Sequence, residues 1–184
     1  GEIPPNQDIF CMTDKANAAY QAVDQAGILV KLSAYQPELI STIFVGLDTP
    51  TSDIDIICCY QSQANFIAEI TQSCATFEQF KLKHSPERVV VEFEFKQYLF
   101  EVFACTTPSQ QQLGYRHFQI MKRLAVVAGE SFTQPVIELK KSGLNTEPAI
   151  CKVLNIQGDP YTAILQLEQW TDQQFATALT AYLR

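Results

Sequence analysis

Apolar positions change period along the chain, and the changes mark out its elements. Ala, Tyr and Val recur at helical spacing from Ile9 to Ala26, which predicts a helix terminated by Gly27. A short second helix is predicted over Ile28 to Ala34, before Pro37 breaks the pattern, and Glu38 to Ile40 reads as a brief strand. A loop with Gly46, Asp48, Pro50 and Ser52 leads into Asp53 to Tyr60 (DIDIICCY), the β-branched run of a buried strand. Ala64 to Ser73 is helical. Two further strands, Arg88 to Phe95 and Tyr98 to Cys105, meet at Lys96-Gln97, and His84, beside Ser85-Pro86, is expected in a turn.

From Pro108 the period is helical throughout. Ser109 to Ala128 forms one long helix ended by Gly129, and others begin at about Thr133, Glu147, Pro160 and Asp172. Thr146 and Asp159 are expected N-caps, each with proline in the following turn. The pattern predicts an α+β protein. A small mixed sheet packed with helices spans residues 1–107, and a helical C-terminal region, 108–184, packs on it.

Composition narrows the classes. Of 184 residues, 47% are hydrophobic and 18% charged, which excludes a disordered chain. No apolar run reaches the ~18 residues of a membrane span. Twenty acidic against thirteen basic side chains give a net charge of −7, which argues against a long nucleic acid as ligand, since that requires a basic face. Cysteines at 11, 58, 59, 74, 105 and 151 show neither C-x-x-C spacing nor a neighbouring histidine, so zinc is not indicated. With no export signal at the start, reduced thiols and a cytoplasmic location are expected.

Candidate chemistry begins at Ser52-Asp53-Ile54-Asp55-Ile56. Residues two apart in a strand share a face, so Asp53 and Asp55 stand side by side while Ile54 and Ile56 turn to the core. Such a pair is either solvated at an edge strand's rim or holds a divalent cation, which relieves its repulsion. Glu101 is the lone acid in the apolar strand YLFEVF, with Leu99 and Phe103 on its own face, and is the expected third ligand. Glu92 and Glu94 alternate with Val91, Phe93 and Phe95 as on a half-exposed strand, and are read as mostly surface. Arg116 and Arg123 are spaced to share a helix face and are either phosphate contacts or ordinary surface charges. His117 is expected to be a satisfied structural histidine, and Glu147 and Asp159 to serve helix N-termini.

A loop after a short strand, then D-h-D-h, then a single acid on a later strand resembles the nucleotidyltransferase fold of DNA polymerase beta and its relatives. In that pattern a Gly-Ser pair precedes the acids. Here Ser41-Thr42 takes that place, with ten residues from Ile43 to Ser52 before Asp53, and Ser41 stands where glycine is expected. Further segments resemble an uncharacterised bacterial branch of this superfamily, a domain of unknown function: Pro37 to Thr42, Ser52 to Cys58, Glu101 to Phe103, Tyr115-Arg116-His117, Asn145 to Ala149 and Gly158 to Tyr161. Asn145 stands where that branch has lysine.

The resemblance implies Asp53, Asp55 and Glu101 as catalytic residues and ligands of Mg²⁺ or Mn²⁺. It places Ser41, Thr42, Ser52 and Arg116 on the side of a nucleoside triphosphate. The implied reaction transfers a nucleotide to an unknown small-molecule or protein acceptor. The alternative is an inactive module of the same fold that binds nucleotide or a protein partner, to which the changes at Ser41 and Asn145 point.

Overall fold

A computed structural model describes residues 13–184. Helix α1 (Asp14–Ala26) starts at Thr13, whose Oγ1 accepts from the Ala16 N–H at 3.0 Å, and ends at Gly27 in the left-handed region at φ +67°. The expected residues 9–12 of this helix lie outside the described residues. Helix α2 (Ile28–Lys31) is shorter than expected and gives way to a 3₁₀ turn at Ser33–Tyr35. Strand β1 is Glu38–Leu39, followed by a 3₁₀ turn over Thr42–Val45, and β2 is Ile54–Cys59. Helix α3 (Gln63–Cys74) follows, then β3 (Glu78–Ser85), β4 (Arg88–Phe95) and β5 (Tyr98–Cys105).

These five strands form one mixed sheet in the order β1-β2-β5-β4-β3, with β2 and β5 parallel and the other pairs antiparallel. Strand β3 is absent from the sequence expectation, and His84 lies within it rather than in a turn. Its segment EQFKLKHS lacks the β-branched apolar run of its neighbours. As an edge strand it exposes most of its side chains and leans on β4 for its hydrogen bonds.

The sheet has two unlike faces. Ile54, Ile56 and Cys58 align with Phe100, Val102, Ala104, Val89, Val91 and Phe93 on a fully buried face, where Phe93 stacks on Phe100 with ring centroids 4.9 Å apart. On the other face, Asp55, Glu101, Phe103, Cys105 and Glu92 are only half-buried.

The C-terminal region is helical, as expected: α4 (Leu113–Ala128), α5 (Glu130–Lys141), α6 (Thr146–Val153), α7 (Pro160–Ala163) and α8 (Asp172–Leu183). The Gln-rich start predicted for α4 is instead a 3₁₀ turn at Ser109–Gln111. Helix α5 begins before the predicted Thr133 because its first turn forms ahead of Pro135. Asn145, not Thr146, occupies the N-cap of α6, and its side chain makes no capping bond. Asp159 caps α7 as expected, accepting from the Tyr161 N–H at 3.1 Å.

His117 is buried at 5% exposure and ties three helices together: Nδ1 lies 3.1 Å from Glu147 Oε2 on α6, and Nε2 lies 2.9 Å from the Tyr161 carbonyl on α7. Arg123 donates to the Leu167 and Trp170 carbonyls and to Asp172. A continuous apolar cluster runs from the sheet through Phe118 and Phe132 to Phe175, so the helical region is packed on the sheet. Among the described residues, no helix is long and apolar enough to cross a membrane, and the five described cysteines are free.

Candidate metal and nucleotide site

The parallel register of β2 and β5 sets Asp55 opposite Glu101, and Asp53 sits one residue before β2 begins. Asp53, Asp55 and Glu101 each offer a carboxylate oxygen within 4.8 Å of the others. Burial, then the charges of Glu101 and Asp53, push the Asp55 carboxyl up to about 7, against which Lys140 pulls it down. Glu101 is raised by burial and by Glu92 and Asp53, and Asp53 by burial and Glu92. Three half-buried carboxylates thus face one another with a surplus of negative charge. Hard oxygen donors at this separation suit a hard divalent cation such as Mg²⁺ or Mn²⁺.

Glu92 belongs to the same neighbourhood. It pairs in register with Glu101 across β4 and β5, which extends the acidic row Asp55–Glu101 onto a third strand. Its alternation with Val91 and Phe93 is that of any half-exposed strand, so only the register distinguishes it.

The loop before Asp53 is held by its own hydroxyls. Ser41 is fully buried; its Oγ donates to the Asp53 carbonyl at 2.6 Å and accepts from the Ile43 N–H at 3.4 Å. It caps the 3₁₀ turn that Thr42 opens and fixes the chain at the first acid. Its φ of −69° is ordinary extended backbone, so serine meets no strain where the superfamily pattern has glycine. Thr42 is half-buried. Ser52 Oγ accepts from the Thr49 N–H at 2.8 Å, closing the loop.

Lys140, at the end of α5, donates to the Leu47 carbonyl at 2.5 Å, and burial lowers its pKa against the pull of Asp48, Glu147 and Asp55. It lines a cavity of about 390 Å³ together with Thr49, Thr51, Asn145, Thr146 and Glu147. Lys140 and Asn145 thus line the same cavity, with Lys140 its one cation among the described lining residues. Lys140-Lys141 ends a helix, where lysines commonly favour the dipole, so nothing in the sequence sets it apart.

Arg116 directs its Nε and Nη2 to Glu168 at 3.2 and 2.6 Å, in an exposed bidentate pair with the 3₁₀ segment Ile164–Gln169. A second cavity, about 510 Å³, is bordered by Asp55 and Glu101, by the apolar side chains Ile40, Ile57, Phe103 and Leu113, and by the polar Thr107, Gln111 and Gln112.

A mixed sheet with paired acids at the start of one strand, a third on its parallel neighbour, and helices behind is the nucleotidyltransferase fold. Solved structures agree. A chain of the GLD-2/RNP-8 complex superposes with a TM-score of 0.62 at 11% identity, covering 96% of this chain and 80% of that one. The Cid1 poly(U) polymerase with MgGTP bound gives 0.56 at 12% identity over 88% of this chain, and a Cid1 structure described for its RNA terminal uridylyl transferase activity gives 0.55 at 14% over 88%. The chain spans about half the length of these Cid1 proteins, 52% and 51%. No curated protein matches its sequence. Residues 21–167 match the family described as Domain of unknown function (DUF4269), and the chain belongs to that family.

Proposed function

We propose that the protein is a metal-dependent nucleotidyltransferase that moves a nucleoside monophosphate from a nucleoside triphosphate to a hydroxyl acceptor. The observation that carries this reading is the convergence of Asp53, Asp55 and Glu101 within 4.8 Å, with Lys140 near enough for its charge to act on Asp55. The three carboxylates would hold Mg²⁺ or Mn²⁺. When bound, such an ion neutralises phosphate charge and polarises the reacting phosphoryl group.

The chain's own groups do the rest. Lys140 and the hydroxyls of Thr49, Thr51 and Thr146 offer donors to the β- and γ-phosphates, with Thr42 and Ser52 on the loop that leads to the acids. Ser41 acts by holding the Asp53 backbone in place. The acceptor oxygen attacks the α-phosphorus, the bond to the β-phosphate breaks, pyrophosphate leaves with the bonding pair, and a carboxylate of the cluster takes the hydroxyl proton. The Cid1 neighbour's MgGTP is consistent with this assignment.

Two observations favour the second reading, a binding module without turnover. Arg116, the arginine expected at phosphate, is engaged by Glu168, and the Ser41 hydroxyl is engaged within the fold. Incubation with α-labelled ATP, GTP, CTP and UTP plus Mg²⁺ or Mn²⁺ separates the two. Label transfer that disappears in the Asp53→Ala, Asp55→Ala double variant supports the enzyme. Transfer that survives the double variant refutes the site, and metal-dependent nucleotide binding without transfer identifies the module.

A further inference from the structure

We infer that the cleft beside Asp55 and Glu101 receives the acceptor, and that this acceptor is a small neutral or amine-bearing molecule with an apolar body and a donor hydroxyl. The inference rests on the nucleotidyl-transfer reading and adds the substrate class to it.

Position is the first argument. The two cavities differ in chemistry, and of the two the second borders the acids, while Lys140 in the first acts on Asp55 through its charge. The one with Lys140 and three threonines suits phosphates. The other has Asp55 and Glu101 in its wall, so a hydroxyl seated there lies next to the carboxylates that must take its proton.

Lining is the second argument. The floor is the half-buried sheet face, with Ile57 and Phe103, and the walls are Ile40 and Leu113. Gly114 lets α4 approach the wall closely, because a Cβ there would sit 3.1 Å from Ile40 Cδ1 and 3.8 Å from Ile57 Cγ2. About 510 Å³ falls in the range of roughly 300–1,000 Å³ typical of small-molecule sites.

Charge is the third. Among the described residues that border the cleft, the charged ones are both acids, and none is lysine, arginine or histidine. Beyond the two acids that would hold the metal, the described residues of the cleft include no basic side chain to neutralise the repeated charges of a phosphodiester chain, whereas a neutral or cationic molecule needs none.

A buried amide supplies the fourth. Gln112 borders the cleft at 6% exposure and donates its Nε2 to the Cys58 and Thr107 carbonyls, both at 2.9 Å. Those two bonds fix the amide's orientation and leave Oε1 as a buried acceptor without a partner. With both amide bonds spent on backbone carbonyls, Gln112 offers a phosphate in the cleft no donor and braces the cleft wall against β2.

The test uses the full chain with methyl-labelled isoleucine and leucine, titrated separately with 2-phenylethanol, tyramine, phenyl phosphate and a short oligoadenylate. The alcohol and the amine should shift the methyl signals of Ile40, Ile57 and Leu113, and the two phosphate-bearing probes should not. Leu113 is half-exposed, so Leu113→Glu leaves the fold intact and should weaken 2-phenylethanol about tenfold. Gly114→Val should abolish its binding by filling the cleft. Equal or stronger shifts of these methyls by phenyl phosphate or oligoadenylate overturn the proposal, as does the absence of any shift with both 2-phenylethanol and tyramine. Binding of Mg²⁺ with a non-hydrolysable ATP analogue is measured in parallel. Alcohol binding without nucleotide binding removes the nucleotidyl-transfer reading and leaves an apolar ligand site. Nucleotide binding without alcohol binding removes the acceptor class alone.

Discussion

Asp55→Asn should make the metal-free protein more stable while removing its capacity for metal. The Asp55 carboxyl moves from 3.8 in an ordinary setting to about 7 in the fold. Between these values the native protein holds a proton that the unfolded chain releases. Stability therefore falls as pH rises from about 4 to about 7 and stays low above it. A pKa difference of one between the folded and unfolded states corresponds to about 1.36 kcal/mol. The penalty at pH 8 is then at most about 4 kcal/mol, and partial solvent access brings the expected value to about 2 kcal/mol. Asparagine keeps the shape and removes the charge, and the backbone bond from the Ile40 N–H to the Asp55 carbonyl is untouched.

Urea denaturation in chelator at pH 8 should place the variant about 2 kcal/mol above the parent, and the gap should shrink to less than half at pH 5. Millimolar Mg²⁺ should then raise the parent's stability and leave the variant's unchanged, since only an intact carboxylate set gains from the ion. A variant no more stable than the parent at pH 8, or an equal Mg²⁺ effect on both, would refute the electrostatic account of the site.

Other substitutions separate the roles of the surrounding residues. Lys140→Met should weaken Mg²⁺-nucleotide binding about tenfold or more by calorimetry, with Lys140→Arg retaining most of it; unchanged affinity in the methionine variant would remove Lys140 from the phosphate side. Ser41→Ala leaves the Asp53 carbonyl without its 2.6 Å donor and should cost about 1–3 kcal/mol in urea midpoint analysis. A loss of nucleotide affinity at unchanged stability would instead make Ser41 a ligand contact. Arg116→Ala breaks an exposed pair with Glu168 and should leave the urea midpoint unchanged and nucleotide affinity within about twofold. Tenfold weaker binding would mean that the guanidinium leaves Glu168 for a phosphate.

The sequence and the structure meet most closely where chemistry departs from its local background. Asp53 and Asp55 interrupt an apolar strand, and Glu101 is a single charge in another, so their residue types alone marked them. Glu92 and Lys140 carry no such contrast. The first alternates like its solvated neighbours, and the second ends a helix beside another lysine. Their significance comes from the β4–β5 register and from the way α5 packs back toward Leu47, and both are long-range facts. The missing strand β3 has the same origin: its polar sequence becomes a strand because β4 offers an edge to pair with. The α6 cap falls on Asn145 rather than Thr146 because Asn145 keeps extended backbone while Thr146 already has helical geometry.

The central claim is that Asp53, Asp55 and Glu101 together hold a divalent ion against a nucleotide's phosphates. An anomalous difference map from crystals grown with Mn²⁺ and a non-hydrolysable ATP analogue tests it most directly. The account predicts a manganese peak at coordination distance, about 2–2.5 Å, from oxygens of all three carboxylates, with the triphosphate on the Lys140 side. Nucleotide bound without manganese at these acids, or manganese bound elsewhere on the chain, would contradict it.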